Sequence, residues 1–231
     1  YAHVAENAIM DRSMVLEKLT EAARDKQELT DWLEEYKGRL CNAKEFAEVF
    51  QGYCWDVVTL DDIQIAPFHV LAHSNRTFFD ETHEWHMKMN HQFALYSSLF
   101  VATEYKIIDS PAIEAEVIEW WEEMTKDGHE GIVIKPERYI ARNRGQLLQP
   151  AIKVRGSKYL KIIYGMDYLQ PENLKRLKKR NTGKKQKLAL KEFALGIEGI
   201  RRFVNGESIE RVHECVLATL AMEQDAVDPR L

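Results

Sequence analysis

Apolar residues at helical spacing open the chain. Val15, Leu16 and Leu19, then Leu29, Leu33 and Tyr36, recur three and four apart among charged neighbours, the period that turns one face of a helix to a core. Gly38 and Asn42 predict a break, with a further short helix from Ala43 to Phe50. The pattern then changes. Ile63 to Ala72 is dense in β-branched and apolar residues and predicts a strand, with Arg76 to Asp80 as its hairpin partner across His73-Ser74-Asn75. A helix is predicted from Glu84 to Ser98, a strand from Leu99 to Ile107, and an acidic helix from Ala112 to Lys126, closed by Asp127-Gly128. Three more strands are expected at Gly131 to Lys135, Ala151 to Arg155 and Tyr159 to Tyr164, with a loop from Glu137 to Gln149. Pro171-Glu172-Asn173 starts another helix, with proline suited to its first turn. Lys184 to Val204 and Ser208 to Met222 predict two more, and Asp228 to Leu231 a tail. The expectation is an α+β chain in three parts: a helical module over 1–52, a mixed core over 53–165 and a second helical module over 166–231.

With 231 residues, 45% of them hydrophobic and 30% charged, the chain can build a core beneath a charged surface. No stretch is apolar enough to span a bilayer, and the start is not a basic stretch followed by an apolar one. The first residue is Tyr1 rather than Met, so the chain reads as a piece of a longer polypeptide, cytoplasmic and not bound to membrane. Cys41, Cys54 and Cys215 lack metal-ligand spacing, and their odd count argues against a disulfide framework; they are expected to be buried thiols. The net charge of −5 argues on average against a polyanion partner. Its distribution argues the other way. Lys175, Arg176, Lys178, Lys179, Arg180, Lys184, Lys185 and Lys187 gather in one run, while the first fifty residues and the stretch from Glu114 to Glu130 are acidic. Such a split permits a local phosphate-binding surface, although a solvated helix face with a turn has the same composition.

Two strands carry candidate chemistry. In Glu130-Gly131-Ile132-Val133-Ile134-Lys135 a carboxylate opens an apolar strand and a lysine closes it. An acid at a strand's mouth can reach a metal ion or a ribose hydroxyl, and the glycine beside it allows close backbone approach. In Ile152-Lys153-Val154-Arg155 the two cations alternate with apolar residues. They therefore share one strand face, with Ile152 and Val154 expected to be buried on the other. A compact ammonium and a guanidinium fork side by side suit a phosphate chain. Upstream, Phe68 lies in a strand-like segment where its ring could pack in a core or stack on a base. His69, His83, His86 and His91 are a weak metal signal, since only His83 and His86 sit one helical turn apart.

Taken together, the Glu-Gly-apolar-apolar-apolar-Lys string followed by apolar-Lys-apolar-Arg resembles motifs IV and V of the covalent nucleotidyltransferase superfamily of DNA ligases, RNA ligases and capping enzymes. Phe68, in Ala66-Pro67-Phe68-His69-Val70-Leu71, falls where that superfamily has its purine-stacking motif IIIa. The strings YCW at 53–55, WHM at 85–87, EGIVIKP at 130–136 and the segments ENLKRL, LALKEFALGIE, RVHECV and VDPRL resemble the ligase domain of bacterial polynucleotide kinase–phosphatase over essentially the whole chain. The resemblance implies a partial nucleotidyltransferase core flanked by a helical insert module and a C-terminal helical module. It implies ATP and Mg2+ or Mn2+ as cofactors and RNA, broken tRNA among them, as substrate. Upstream kinase and phosphatase domains and a 3′-terminal RNA ribose 2′-O-methyltransferase are the implied partners.

On that likeness the reaction passes AMP from ATP to an enzyme lysine, then to an RNA 5′-phosphate, before a 3′-hydroxyl seals the strand. Glu130 would serve the metal or the ribose, Lys153 and Arg155 the α-phosphate and the transition-state charge, Phe68 and Lys135 the nucleotide, and the basic run the RNA backbone. One departure stands out. The chain contains no Lys-x-Asp-Gly nucleophile motif, and Lys153-Val154-Arg155-Gly156-Ser157, which superficially resembles a variant of it, follows the Glu-Gly motif and so takes the place of motif V. The chain alone is therefore not expected to adenylylate itself. A second expectation follows, that of a docking module for the methyltransferase, with Trp32, Trp120 and Trp121 on acidic helices as candidate contacts.

Overall fold

The computed structural model describes residues 1–24, 26–54, 56–180 and 182–222, so the tail from Asp228 to Leu231 and Trp55 lie outside the described residues. Two long helices, α1 (Ala2–Ala22) and α2 (Thr30–Gln51), form an antiparallel pair at the start. No break occurs at Gly38 or Asn42. A helix-interior glycine costs only about 1 kcal/mol, and Asn42 is held by tertiary contacts: its amide donates to Asp167 at 3.1 Å and its carbonyl oxygen accepts from Lys161 at 3.0 Å. Ala5, Ala43, Phe46 and Val49 fill the seam between the two helices.

The middle is less regular than its composition suggests. Ile65 makes a single parallel bridge to Phe100, with Ile65 N donating to Leu99 O at 2.8 Å and Val101 N to Ile65 O at 2.9 Å. Beyond that bridge the expected strand from Leu99 to Ile107 forms no ladder, and that from Ile63 to Ala72 forms one only at its last residue, Ala72. Pro67 has no N–H to donate, and the Thr103 side chain and carbonyl are used instead by Pro67 O and by His91. The expected hairpin forms in short strands, β1 (Ala72–His73) against β2 (Arg76–Thr77). Helix α3 (His83–Tyr96) is capped by Thr82, whose hydroxyl accepts from Trp85 N, and α4 (Pro111–Lys126) by Ser110 with proline following.

Two antiparallel strands, β3 (Gly131–Ile134) and β6 (Ile152–Arg155), form the ribbon that carries the two motifs. Between them the expected loop folds into a small hairpin, β4 (Arg142–Asn143) with β5 (Gln146–Leu147), because Arg144 and Gly145 both take positive φ, 50° and 81°. The stretch from Tyr159 to Tyr164, expected as a strand, is part of a helix, α5 (Ser157–Tyr164). Tertiary packing overrides its β-branched content: Lys161, only 4% exposed, reaches Asn42 and the Glu45 carboxylate on α2. The same polar network continues to α1, where Arg12 pairs with Asp167 at 2.7 Å.

Helices α6 (Pro171–Lys178), α7 (Thr182–Val204) and α8 (Ile209–Met222) complete the described residues, with α7 and α8 packed together. A buried cluster of Phe79, Tyr139 and Ile197, flanked by Leu71, Ile140, Phe193 and Ile200, binds α7 to the middle segment. The architecture is α+β and mostly helical. Among the described residues no helix is long and apolar enough to cross a membrane. All three cysteines are free, but only Cys215 is buried; Cys41 and Cys54 are exposed, the reverse of the expectation for them.

Candidate functional site

Register on the β3–β6 ribbon places the motif residues. Gly131 pairs with Arg155, Ile132 with Val154, Val133 with Lys153 and Ile134 with Ile152. Directly opposed residues of an antiparallel pair lie on the same face. Arg155 and Lys153 thus share the face of Gly131 and Val133, and Lys135 continues that face at the end of β3. Three cations follow one another along one side of a two-stranded element.

The ribbon is backed at its Arg155 end by α4. Trp121 Nε1 donates to Val154 O at 2.9 Å, and Gly156 lies so close to Thr125 that a Cβ there would meet its side chain at 2.6 Å. At the other end the backing stops. Ile152, expected to be buried, is 60% exposed beside the exposed Ile134, since α4 does not extend that far along the strands. Gly131 takes φ +123°, and a Cβ on it would stand 2.2 Å from Val154 O. The close backbone approach expected at this glycine is made by the partner strand itself.

Glu130 and Arg155 meet: Arg155 Nε donates to Glu130 Oε1 at 3.0 Å, and the guanidinium carbon sits 5.4 Å from the Tyr159 ring centre. Only the Nε edge of the guanidinium is engaged by the carboxylate, which leaves the Nη edge for a phosphate. Lys153 is exposed and has no ion-pair or hydrogen-bond partner among the described residues. Next to this pair the Tyr53 phenol donates to Gly128 O at 3.3 Å and packs on Tyr159. Burial, reinforced by Tyr159 and Glu130, pushes that phenol up to about 12.

Phe68 and Lys135, both expected to contact nucleotide, also come together. The Lys135 amine lies 4.6 Å from the centre of the Phe68 ring, which is itself 55% exposed. The same amine is 3.1 Å from His69 Nε2, which is 3.1 Å from His83 Nδ1. His86, 0% exposed, accepts from Val70 N through Nδ1 at 3.2 Å. Rings of Phe68, His83, His86 and Tyr139 surround His69 at centroid distances of 5.0 to 5.4 Å. Burial lowers the Lys135 amine to about 8. Burial, then the nearby Lys135 charge, lowers His69 to about 3 and His83 to about 4, and burial first of all lowers His86 as well. Neutral imidazoles and a cation near its titration point therefore share one cage.

Sequence reasoning named these histidines only as a weak metal signal. Among the described residues no group of three or more His, Cys, Asp or Glu is placed to hold a metal ion, and here the Lys135 amine sits where a cation would have to approach. The usable signal was the adjacency of Phe68 and His69 together with the one-turn spacing of His83 and His86. A metal at Glu130 would have a single protein carboxylate. That fits an ion carried largely by nucleotide phosphates and water, as Mg2+ commonly is, and does not fit a resident metal centre.

The basic run is split between the end of α6, the turn after it and the start of α7. Lys175, Arg176, Lys178, Lys179, Lys184, Lys185 and Lys187 are exposed, while Arg180 lies over the Tyr164 ring at 5.7 Å. Gln149 Nε2 donates to Gln186 O at 2.8 Å, which ties the start of α7 to the segment leading into β6 and Lys153. Of the three tryptophans expected as docking contacts, Trp121 is used inside the fold, Trp120 is half-buried beneath Lys106, and Trp32 is 58% exposed on α2. A cleft of about 330 Å³ between the β1–β2 turn and the end of α7 contains none of the expected site residues.

The model of the family described as PNKP adenylyltransferase domain, ligase domain, matches residues 1–226. No curated protein sequence matches. Among solved structures, a chain of "Structure of Pnkp1/Rnl/Hen1 complex" is similar with a TM-score of 0.56 at 18% identity; the match covers 98% of this chain and 66% of that one. At that identity the likeness is one of fold. By the extent of the family match, the chain belongs to the family of PNKP adenylyltransferase ligase domains.

Proposed function

We propose that this chain is the phosphate- and nucleotide-handling part of an ATP-dependent RNA ligase. It would join 5′-phosphate and 3′-hydroxyl RNA ends through adenylate intermediates. The observation that carries the reading is the shared face of Lys135, Lys153 and Arg155 on the β3–β6 ribbon, with Phe68 at its Lys135 end. Phe68 offers the base a π face, Lys153 offers the α-phosphate a point charge, and the free Nη edge of Arg155 offers it a fork. These cations would act on the negative charge carried by the phosphoryl oxygens, the usual form of stabilisation in phosphoryl and nucleotidyl transfer. Glu130 would take one coordination position of a Mg2+ or Mn2+ ion that neutralises phosphate charge. Lys184, Lys185 and Lys187, tied beside β6 by Gln149, would hold the RNA backbone.

The division into a helical insert over 1–52, a core over 53–165 and a C-terminal helical module over 166–231 belongs to the same proposal. So does the expectation that the chain alone does not become adenylylated, since it contains no Lys-x-Asp-Gly motif. The test has two arms. AMP binding to the chain is measured by calorimetry, with Phe68→Ala expected to weaken it by roughly tenfold or more, the scale of a lost base stack. Intact-protein mass spectrometry after incubation with ATP and Mg2+ is expected to show no AMP adduct. AMP binding unchanged in Phe68→Ala would sink the nucleotide-site reading, and an adduct would make this chain the carrier of the nucleophile, with Lys153 the first suspect.

A second reading, docking of a 3′-terminal RNA ribose 2′-O-methyltransferase, is favoured by the exposed Trp32 on α2 and by the similar chain's origin in an assembly. Co-elution with the methyltransferase in the absence of ATP, lost in Trp32→Ala, is its expected signature.

A further inference from the structure

The histidines of the middle segment have no part in the chemistry above, yet they touch it at one atom. Lys135 closes β3 and its amine must choose among several directions. It lies instead at two short approaches together: 3.1 Å from His69 Nε2 and 4.6 Å from the centre of the Phe68 ring. Phe68 and His69 are consecutive, and their rings meet edge-on at 5.1 Å. A single amine in contact with both is therefore specifically seated. The imidazole that holds it is fixed on every side. His83 Nδ1 lies 3.1 Å from the same Nε2. The Tyr139 ring, itself part of the buried cluster with Phe79 and Ile197, packs edge-on at 5.0 Å, and His86 packs edge-on at 5.4 Å. His86 is in turn immobilised by the Val70 N–H.

We propose that His69 is a positioning residue: locked in its cage of rings, it holds the Lys135 amine against the face of Phe68, so that a nucleotide meets a ring and a cation already placed together. Neutral His69 can accept a hydrogen bond from the amine through Nε2 without adding positive charge to the site, which a second cation there would do. Because Lys135 covers one side of the Phe68 ring, a base stacks on the other. The ligand class is one that joins a planar base to an anionic phosphate, which rests on the nucleotide reading above; the holding of Lys135 itself does not.

The ionisable groups around the amine are His69 from the extended segment, His83 and His86 from α3, and Tyr139 from the segment after β3. The experiment compares wild type, His69→Ala and His69→Gln, in which the Gln carbonyl oxygen can stand near the place of Nε2. Trace acetylation with acetic anhydride across a pH series, followed by mass spectrometry of the peptide containing Lys135, reads the titration of that amine without any nucleotide. The wild type is expected to titrate near pH 8, well below the ordinary 10.5. Water entering the site in His69→Ala is expected to raise the midpoint by a unit or more, with His69→Gln returning part of the way. AMP affinity, measured in parallel at pH 7, is expected to fall severalfold in His69→Ala and to recover partly in His69→Gln.

A wild-type midpoint near 10.5, or a midpoint identical in wild type and both variants, would overturn the assignment of His69. Midpoints that move as expected while AMP fails to bind the wild type would leave His69 as the residue that holds Lys135 and overturn the nucleotide reading instead. The Gln variant keeps the test meaningful should His69→Ala fold poorly.

Discussion

Replacing Gly131 by alanine tests the ribbon on which the candidate site depends. Two structural facts set the size of the effect. The residue takes φ +123°, outside the regions open to a side chain, and its added Cβ would lie 2.2 Å from Val154 O and 2.9 Å from Arg155 Cα. The backbone penalty alone is about 1–3 kcal/mol. Relieving the contact requires β3 and β6 to separate by roughly an ångström at the Gly131–Arg155 pair, which weakens at least one ladder hydrogen bond worth about 1 kcal/mol. The sum is about 3 kcal/mol. With a urea slope of about 1–3 kcal/mol/M, the unfolding midpoint of Gly131→Ala is expected to drop by roughly 1 M or more. The Glu130–Arg155 pair, one residue from the widened point, would open at the same time. Urea titration followed by circular dichroism measures the first effect. A midpoint within error of wild type would mean that the ribbon does not hold Gly131 and Val154 in this register, and the shared face of Lys153 and Arg155 would fall with it.

The histidine cage predicts acid lability. His69 and His83 fall from 6.5 to about 3 and about 4, so the unfolded chain binds protons below pH 6.5 that the folded chain refuses, and stability drops as pH falls from 6.5 toward 4. At pH 5 the full shift would amount to about 2 kcal/mol per ring, and partial solvent access halves it to about 1 kcal/mol; equal urea midpoints at pH 7 and pH 5 would contradict the cage. Lys161→Met removes the amine shared by Asn42 and Glu45 and should cost about 2 kcal/mol in the same assay, less than a fully buried pair because Glu45 is only half-buried; a variant as stable as wild type would show that the network does not tie α5 to α2. Changing both Lys185 and Lys187 to Ala should lower the salt slope of single-stranded RNA binding by about 1.4, and an unchanged slope would remove the start of α7 from the RNA path.

Apolar periodicity made the two opening helices legible, and at Pro171 local punctuation placed the start of α6, because a proline at the first turn needs no distant partner. Ser110-Pro111 punctuates α4 in the same way, just before its expected start at Ala112. What failed to show itself was decided at a distance. Tyr159 to Tyr164 has strand composition, yet a helix lets Lys161 reach Glu45 and Asn42 on α2, residues far away in sequence. Asn42 looked like a break for the same reason in reverse, since its side chain serves Asp167 and Lys161 rather than its own backbone. Ile63 to Ala72 has strand composition, but a ladder needs a second strand in register, and the sequence could not say that only Ile65 and Ala72 would find one.

The site divides along the same line. Motif order placed Glu130, Lys153 and Arg155 on two strands, but it left the register between those strands open. The register pairs Gly131 with Arg155 and so sets the residue named for a metal against the residue named for a phosphate, at 3.0 Å. Each then neutralises the other until something more highly charged arrives. On the proposed reading, a phosphate at the Nη edge of Arg155 would compete with Glu130 for the guanidinium's charge, loosen the pair and make that carboxylate more available to a cation. A cation at Glu130 would in turn strengthen Arg155 as a phosphate site. The two ligands would therefore favour each other's binding through one salt bridge, a linkage that has to be reciprocal. On the proposed reading, a polyphosphate with its own divalent ion would satisfy both halves at once, whereas a free cation at Glu130 would have to compete with Arg155 for the carboxylate.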